Sequence, residues 1–272
     1  MDKYIISLKK NHIQCKKTID TLNKSGVNNV NIFEAINGND LIMTLDDIGY
    51  KHPYVNVSMA TQYNMYNGRT KFRDIPSRGA IGCYLSHVML WNKLIDNDKE
   101  YMLILEDDAI PLDNNLDNKI NNLINERNDF DILLLGYRLK DRDIELISKN
   151  ISKCKYFVLT HSYIISKKGA LKLLKHAFPI EMQVDNYMSF YSLFDQDFKI
   201  YYSNHMLFKQ SNHISSIQQF CITCMISLLK DKHYMRYITP IFIFYLIILI
   251  LFLYCILKRK QIVKYSKKLV LC

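Results

Sequence analysis

The chain predicts an α/β fold: a mostly parallel sheet with helices packed on its faces, followed by one apolar helix near the carboxyl terminus. Three observations lead there. Short apolar runs alternate with amphipathic stretches of helical length, which is the pattern of a wound sheet. One of those runs, Tyr101-Met102-Leu103-Ile104-Leu105, passes directly into three acids, Glu106-Asp107-Asp108. In open α/β sheets the carboxyl ends of strands are where ligands sit. Finally, residues 237–257 carry no charged side chain at all.

The elements follow in order. Residues 3–8 alternate as a strand, and His12, Ile13, Cys15, Ile19 and Leu22 recur at helical spacing over 12–24, with Gly26 as a stop. Residues 30–35 read as a second strand. Residues 37–77 lack periodicity and are rich in Asn, Tyr and Met, which predicts a long loop carrying one short helix. A loop of that length in a compact domain is usually functional. Ser77 caps a helix predicted from about 79 to 96, with Ile81, Leu85, Val88, Leu94 and Ile95 as its stripe and Trp91 on the adjoining turn. After the strand at 101–105, which Pro111 keeps short, come a polar helix near 115–127 and a buried strand at 132–135 ended by Gly136. A strand at 163–165 and a helix at 167–177, stopped by Pro179, complete the pattern. No internal repeat and no Gly-rich phosphate loop is present.

Length allows one sizeable α/β domain plus an appendage, since the chain has 272 residues. Its formal charge of +10 is unevenly placed. Lys258, Arg259, Lys260, Lys264, Lys267 and Lys268 crowd the carboxyl end with no acid among them, and residues 1–229 keep only +2 of the total. A nearly balanced body argues against a basic nucleic-acid face, so no nucleic-acid partner is expected. The seven cysteines are scattered and odd in number, which leaves at least one unpaired. Cys221-x-x-Cys224 has the spacing of half a zinc site, but no second pair accompanies it, and an apolar helix face is the better reading.

The uncharged run at 237–257 would span about 30 Å as a helix, which matches a bilayer core. Tyr237 and Tyr254 lie near its ends, Pro240 falls in the first turn, and Lys258-Arg259-Lys260 forms a stop. The expectation is a single-pass membrane protein with a carboxyl-terminal anchor and a lipid-bilayer partner. Its side of the membrane stays open. Basic residues after the run favour a cytoplasmic tail, while residues 1–8 show no secretory signal and favour a domain facing the cytosol. Asn23-Lys24-Ser25, Asn56-Val57-Ser58 and Asn150-Ile151-Ser152 are glycosylation acceptors only in a lumenal domain. The organisation expected is therefore a domain at 1–216, a juxtamembrane helical segment at 217–236, the span at 237–257 and a basic tail at 258–272.

Three carboxylates at the end of a buried strand repel one another and lose hydration, and a bound cation offsets both costs. Hard divalent ions take carboxylate oxygens, and Mg²⁺ or Mn²⁺ held this way usually shares its shell with substrate phosphates. Taken alone, the triplet reads equally well as a solvated turn capping the next helix.

More of the chain tips that balance. Gly79-Ala80-Ile81-Gly82-Cys83-Tyr84-Leu85-Ser86-His87-Val88, a dozen residues of helix, and then Leu103-Ile104-Leu105-Glu106-Asp107-Asp108 resemble glycosyltransferase family 25. That family includes lipopolysaccharide-biosynthesis and collagen hydroxylysine galactosyltransferases. Tyr4-Ile5-Ile6-Ser7-Leu8-Lys9 and Phe33-Glu34-Ala35-Ile36-Asn37-Gly38 resemble its first two strands. Phe130-Asp131-Ile132-Leu133-Leu134-Leu135-Gly136, Ser162-Tyr163-Ile164-Ile165-Ser166-Lys167-Lys168-Gly169-Ala170 and Val184-Asp185-Asn186 follow in family order, and Gln210 with Ser215 or Ser216 closes the domain. The resemblance covers about residues 3–216. It implies a GT-A-type nucleotide-sugar-binding fold and inverting transfer of a hexose, typically galactose from UDP-galactose, to a glycan or protein hydroxyl. Ser7 stands where the family usually has Asn, Lys9 and Lys10 where it has Arg, and Asn37 where it often has an acid, so donor contacts near the first strand are expected to differ.

On that footing Glu106 and Asp108 are assigned as metal-binding acids, with Mn²⁺ (or Mg²⁺) bridging diphosphate oxygens, and His213 as a further metal ligand. Asp107 points towards the sugar or ribose. Asp185 is the candidate general base, against the simpler reading that it caps a helix beginning at Asn186. Ser7, Lys9, Arg78 and His87 are assigned to the donor, although a structural histidine and a solvated arginine are the plainer readings of the last two.

Overall fold

The computed structural model describes residues 1–140 and 144–211, together with residues 244, 245, 247–249 and 254. The chain divides into two compact units, Met1–Phe220 and Cys221–Cys272. Within the first, the elements in order are β1 (Asp2–Ser7), α1 (His12–Lys24), β2 (Asn31–Glu34), β3 (Ile42–Thr44), β4 (Tyr50–Lys51), β5 (Tyr54–Asn56), α2 (Met59–Asn67) and α3 (Arg78–Asp96). There follow β6 (Tyr101–Glu106), β7 (Ala109–Pro111), α4 (Leu116–Glu126), β8 (Ile132–Leu139), β9 (Glu145–Leu146), β10 (Ile151–Cys154) and β11 (Phe157–Ser166). Last come α5 (Lys167–Leu174), α6 (Val184–Phe194), β12 (Ile200–Ser203) and β13 (Phe208–Gln210).

An eight-stranded sheet in the order β2-β1-β6-β11-β8-β12-β10-β9 forms the centre. Strand β1 pairs in parallel with both β2 and β6, and β8 with β12. The expectation of a mostly parallel sheet needs correction here: the sheet is mixed. Strand β11 inserts between β6 and β8 in the reverse direction, so both of its pairings are antiparallel, and so are the two made by β10. Alternation of strands and helices along a sequence does not encode direction, which is why the pattern misled.

The central strands are buried on both faces, and the period of two splits their side chains between two cores. On one face Ile6, Met102, Ile104, Leu134, Tyr163 and Ile165 pack against α3, α5 and α6 through Leu85, Trp91, Leu173 and Met188. On the other, Ile5, Leu103, Leu105, Leu135 and Ile164 pack against α1 and α4 through Cys15, Leu22, Ile120 and Leu123. Helix α3 begins as expected, with the Ser77 hydroxyl accepting from the Ala80 amide at 3.3 Å.

Two expectations fail locally. Residues 37–77 carry the one short helix expected, α2, but are not otherwise a loop: β3, β5 and β4 form a small three-stranded sheet before it. Strands of two or three residues are shorter than any window in which alternation can be read. Strand β8 also runs through Gly136 to Leu139. A Cβ at position 136 would lie 2.2 Å from His161 Nε2 and 2.7 Å from the Phe208 carbonyl oxygen, so that glycine permits a close crossing and stops nothing.

The membrane anchor expected over 237–257 is likewise corrected. Among the described residues no helix is long and apolar enough to cross a membrane. A crossing needs about 20 continuous apolar helical residues, and no helix among the described residues supplies them. Most of that stretch, the juxtamembrane segment expected at 217–236 and the tail at 258–272 lie outside the described residues, as do His213, Ser215, Ser216, Cys221 and Cys224.

The approach of α3 to the segment after β2 is unusually close. A Cβ at Gly82 would sit 2.3 Å from the Ile36 carbonyl oxygen, and one at Gly38 would sit 1.8 Å from that of Arg78. Backbone, not a flexible side chain, occupies both spaces. We therefore expect Gly82→Ala to lose about 1–3 kcal/mol of stability by forced overpacking, measured by urea unfolding; a change under about 0.5 kcal/mol, the range of neutral surface substitutions, would show that the crossing tolerates a methyl group.

Candidate functional site

Strands β1, β2 and β6 run the same way, so their carboxyl ends lie on one edge, with β2 and β6 flanking β1 on opposite sides. That is the crevice where open α/β sheets bind ligands. A cleft of about 480 Å³ opens there, lined among others by Ser7, Lys10, Asn37, Arg78, Glu106 and Asp107.

Each acid of the triplet is held by a different part of the fold. Glu106 ends β6, and its Oε1 accepts from the Thr160 hydroxyl at 2.6 Å and lies 3.6 Å from His87 Nε2. Burial works to raise its pKa, but the contacts with His87 and Thr160 prevail and hold it below the usual glutamate value. Asp107 turns back onto the first strand, its Oδ2 accepting from the Ser7 hydroxyl at 2.9 Å and from Asn11 Nδ2 at 3.4 Å. Asp108 accepts from Gln210 Nε2 at 2.9 Å, because β13 pairs with β7 immediately after the triplet. Burial first, then the charge of Glu106, push the Asp108 carboxyl up to about 7. Its other oxygen, Oδ1, is buried without a hydrogen-bond partner.

Asp185 sits in the first turn of α6, whose N-cap is Gln183. The capping alternative is thus set aside by position, although Asp185 Oδ1 does accept from the Asn186 amide at 2.7 Å and from Asn186 Nδ2 at 2.8 Å. Its Oδ2 accepts from the Leu159 amide at 3.1 Å. Burial is the main cause raising its carboxyl above the ordinary aspartate value, and Glu106 adds to it. The Leu159 amide reaches Asp185 because β11 is irregular there: the register slips between Val158 and Ser162, and Leu159 has φ of 77°. That left-handed conformation is strained for a non-glycine residue, and such strain concentrates at functional sites. One short bulge therefore supplies a donor to Asp185 and, through the adjacent Thr160, another to Glu106.

Of the donor residues named from the sequence, Ser7 and Asp107 stand together in the cleft wall. Arg78 also lines the cleft, but its guanidinium donates to the backbone carbonyls of Gly38 at 3.2 Å and of Leu41, so it pins the loop after β2. Lys9 is exposed outside the lining, where Lys10 takes its place. His87 is fully buried behind Glu106 and does not line the cleft. Sequence reasoning missed Thr160 and Cys83. Nothing marks Thr160 in advance, since a bulge inside a strand leaves no periodic trace. Cys83 carried a signal in its spacing of one helical turn from His87.

A prediction follows for the metal-free protein. Asp108 has a folded pKa of about 7 against an unfolded value near 3.9, so its contribution to stability is greatest below about pH 4 and is lost as pH rises through 7. In EDTA, Asp108→Asn should be more stable than the parent at about pH 8, by ~1–3 kcal/mol, with the gap closing towards pH 4. Urea melts at the two pH values measure this, and equal stabilities at pH 8 would refute it.

With the geometry established, comparison with known proteins is informative. Over residues 1–188 the chain matches the model described as glycosyltransferase family 25 (LPS biosynthesis protein). It is 27% identical over 180 residues to the Homo sapiens protein named procollagen galactosyltransferase 2, covering 63% of this chain and 27% of that one. It is 26% identical over 240 residues to a glycosyltransferase 25 family member of Aedes aegypti, covering 85% of this chain and 36% of the relative. A third relative, 26% identical over 149 residues (53% of this chain, 24% of that one), is the Rattus norvegicus protein named probable inactive glycosyltransferase 25 family member 3. The chain thus spans between about a quarter and a third of the length of these relatives. The family match extends from β1 into the first turns of α6 and includes Ser7, the acidic triplet and Asp185, so this chain belongs to glycosyltransferase family 25.

Proposed function

We propose that residues 1–216 form a GT-A-type catalytic domain that transfers a hexose, with galactose from UDP-galactose the leading candidate, to a glycan or protein hydroxyl with inversion. One observation carries this reading: the cleft at the carboxyl ends of β1, β2 and β6 has Glu106 and Asp107 in its wall, within the residues that match the family. Relatives named procollagen galactosyltransferase support galactose as the sugar.

Transfer from a nucleotide diphosphate sugar requires charge stabilisation on the leaving diphosphate and a base for the attacking hydroxyl. Glu106 and Asp108 are the residues that would hold Mn²⁺ or Mg²⁺. They fit such an ion, because Asp108 Oδ1 is buried with no hydrogen-bond donor to satisfy it and the two carboxylates repel one another. When bound, the ion neutralises charge developing on the diphosphate. In this reading Asp107 and Ser7 shape the donor side of the cleft, and Lys10 supplies a positive charge at its rim. Asp185 takes the proton of the acceptor hydroxyl; that oxygen then bonds to the anomeric carbon as the bond to the diphosphate breaks on the opposite face. A carboxyl raised by burial is suited to the task, since a base works best with a pKa near the working pH.

A second reading, a fold kept for binding without turnover, is favoured by the relative named probable inactive. Donor hydrolysis by the full chain across UDP-sugars with Mn²⁺ separates the two. Turnover with one sugar supports transfer, and donor binding with no hydrolysis and no transfer supports the second. Excess EDTA should abolish transfer, and undiminished activity would exclude a metal-assisted mechanism. For Asp185→Asn we expect kcat to fall at least ~100-fold with donor affinity retained, the lower range for loss of a general base; near-normal kcat would remove Asp185 from the mechanism.

A further inference from the structure

At the wall of the cleft lies a second set of donors, of which the proposed transfer uses only Glu106 as a ligand. Cys83 and His87 are four residues apart on α3 and so share one face. Cys83 Sγ, a ring nitrogen of His87 and a carboxylate oxygen of Glu106 all lie within 4.8 Å of one another. His87 is fully buried, and its Nε2 has no hydrogen-bond partner. That unsatisfied nitrogen is aimed at Glu106, 3.6 Å away.

The surroundings are those of a built site. His87 Nδ1 lies 2.8 Å from the Tyr163 hydroxyl, which accepts from Trp91 Nε1 at 3.0 Å. Tyr163 and Trp91 are both fully buried, so the imidazole is locked by its far nitrogen, as metal-ligating histidines usually are. Thr160 fixes Glu106 at 2.6 Å. Cys83 and Glu106 both line the cleft, which gives an ion a way in. Sulfur, imidazole and one carboxylate form a borderline-soft donor set. It suits Zn²⁺ and its substitute Co²⁺, and does not suit Mg²⁺ or Mn²⁺.

We infer that Cys83, His87 and Glu106 form a zinc-type site, distinct in chemistry from the hard-ion pair Glu106 and Asp108 but sharing Glu106 with it. As the sulfur–metal bond forms, the thiol proton leaves to solvent and the imidazole lone pair on Nε2 enters the shell, with a fourth position open to the cleft. Because one carboxylate serves both sets, zinc occupancy and hard-ion occupancy are coupled through Glu106. That consequence rests on the proposed role of Glu106 in transfer, whereas the site itself does not.

Titration of the purified full chain with Co²⁺ tests the site directly. A near-ultraviolet sulfur-to-cobalt charge-transfer band should grow in and be displaced by Zn²⁺. It should vanish in Cys83→Ser, persist in a Cys221→Ser/Cys224→Ser double variant, and require at least ~10-fold more Co²⁺ in His87→Gln, the scale by which perturbing a metal site lowers affinity. Should Cys83→Ser fail to fold, protection of Cys83 from alkylation by Zn²⁺ in the unaltered chain, read by peptide mass spectrometry, gives the same answer. No band in the unaltered chain, a band that survives loss of Cys83, or alkylation at the same rate with and without Zn²⁺ would overturn the inference. Donor hydrolysis with Mn²⁺ is scored separately: a band without hydrolysis defeats only the proposed function, and hydrolysis without a band defeats only this site.

Discussion

A negative charge held at the end of a fully buried strand is the constraint around which this molecule is arranged. Glu106 ends a strand whose four preceding residues are wholly inaccessible, so its carboxylate can be tolerated only if the rest of the fold brings donors to it. Thr160, from β11, donates to it, and His87, from α3, stands 3.6 Å away. Asp108, two residues further, draws Gln210 from β13. Breaking any of these supports leaves a buried charge uncompensated, which is among the costlier defects a protein can carry. The sheet order, the reversed strand β11 and the late strand β13 thus all serve one edge of the molecule.

Backbone proximity complements that electrostatic demand. The helix that delivers His87 and Cys83 reaches the strand end only because Gly82 and Gly38 let it lie against the chain after β2 at distances no side chain would allow. Arg78, at the first position of the same helix, then fastens the loop by its carbonyls. A residue type often read as an anion ligand is here engaged with the carbonyls of Gly38 and Leu41, while Lys10 lines the cleft as a further cation.

Much of this was legible in advance. The strand at 101–105, the Ser77-capped helix and the acids at the strand end announce themselves through periodicity, a capping residue and an abrupt change from apolar to charged. What was hidden shares a physical character. The direction of β11 depends on tertiary pairing, since Tyr163 and Ile165 would be buried in either orientation. The two- and three-residue strands β3, β4 and β5 carry too few side chains to alternate. The partners of Arg78 and Asp107 are set by contacts across the fold that spacing along the chain cannot express.

Leu159 and Thr160 are consecutive, and between them they serve two carboxylates on different elements, Asp185 on α6 and Glu106 on β6. The Leu159 amide and the Thr160 side-chain hydroxyl therefore act as a yoke, joined through the backbone of two adjacent residues. Tilting it to favour one acid withdraws support from the other, so the proton affinity of each is geared to the environment of its counterpart. The strained φ of Leu159 is what keeps that yoke at the one angle serving both.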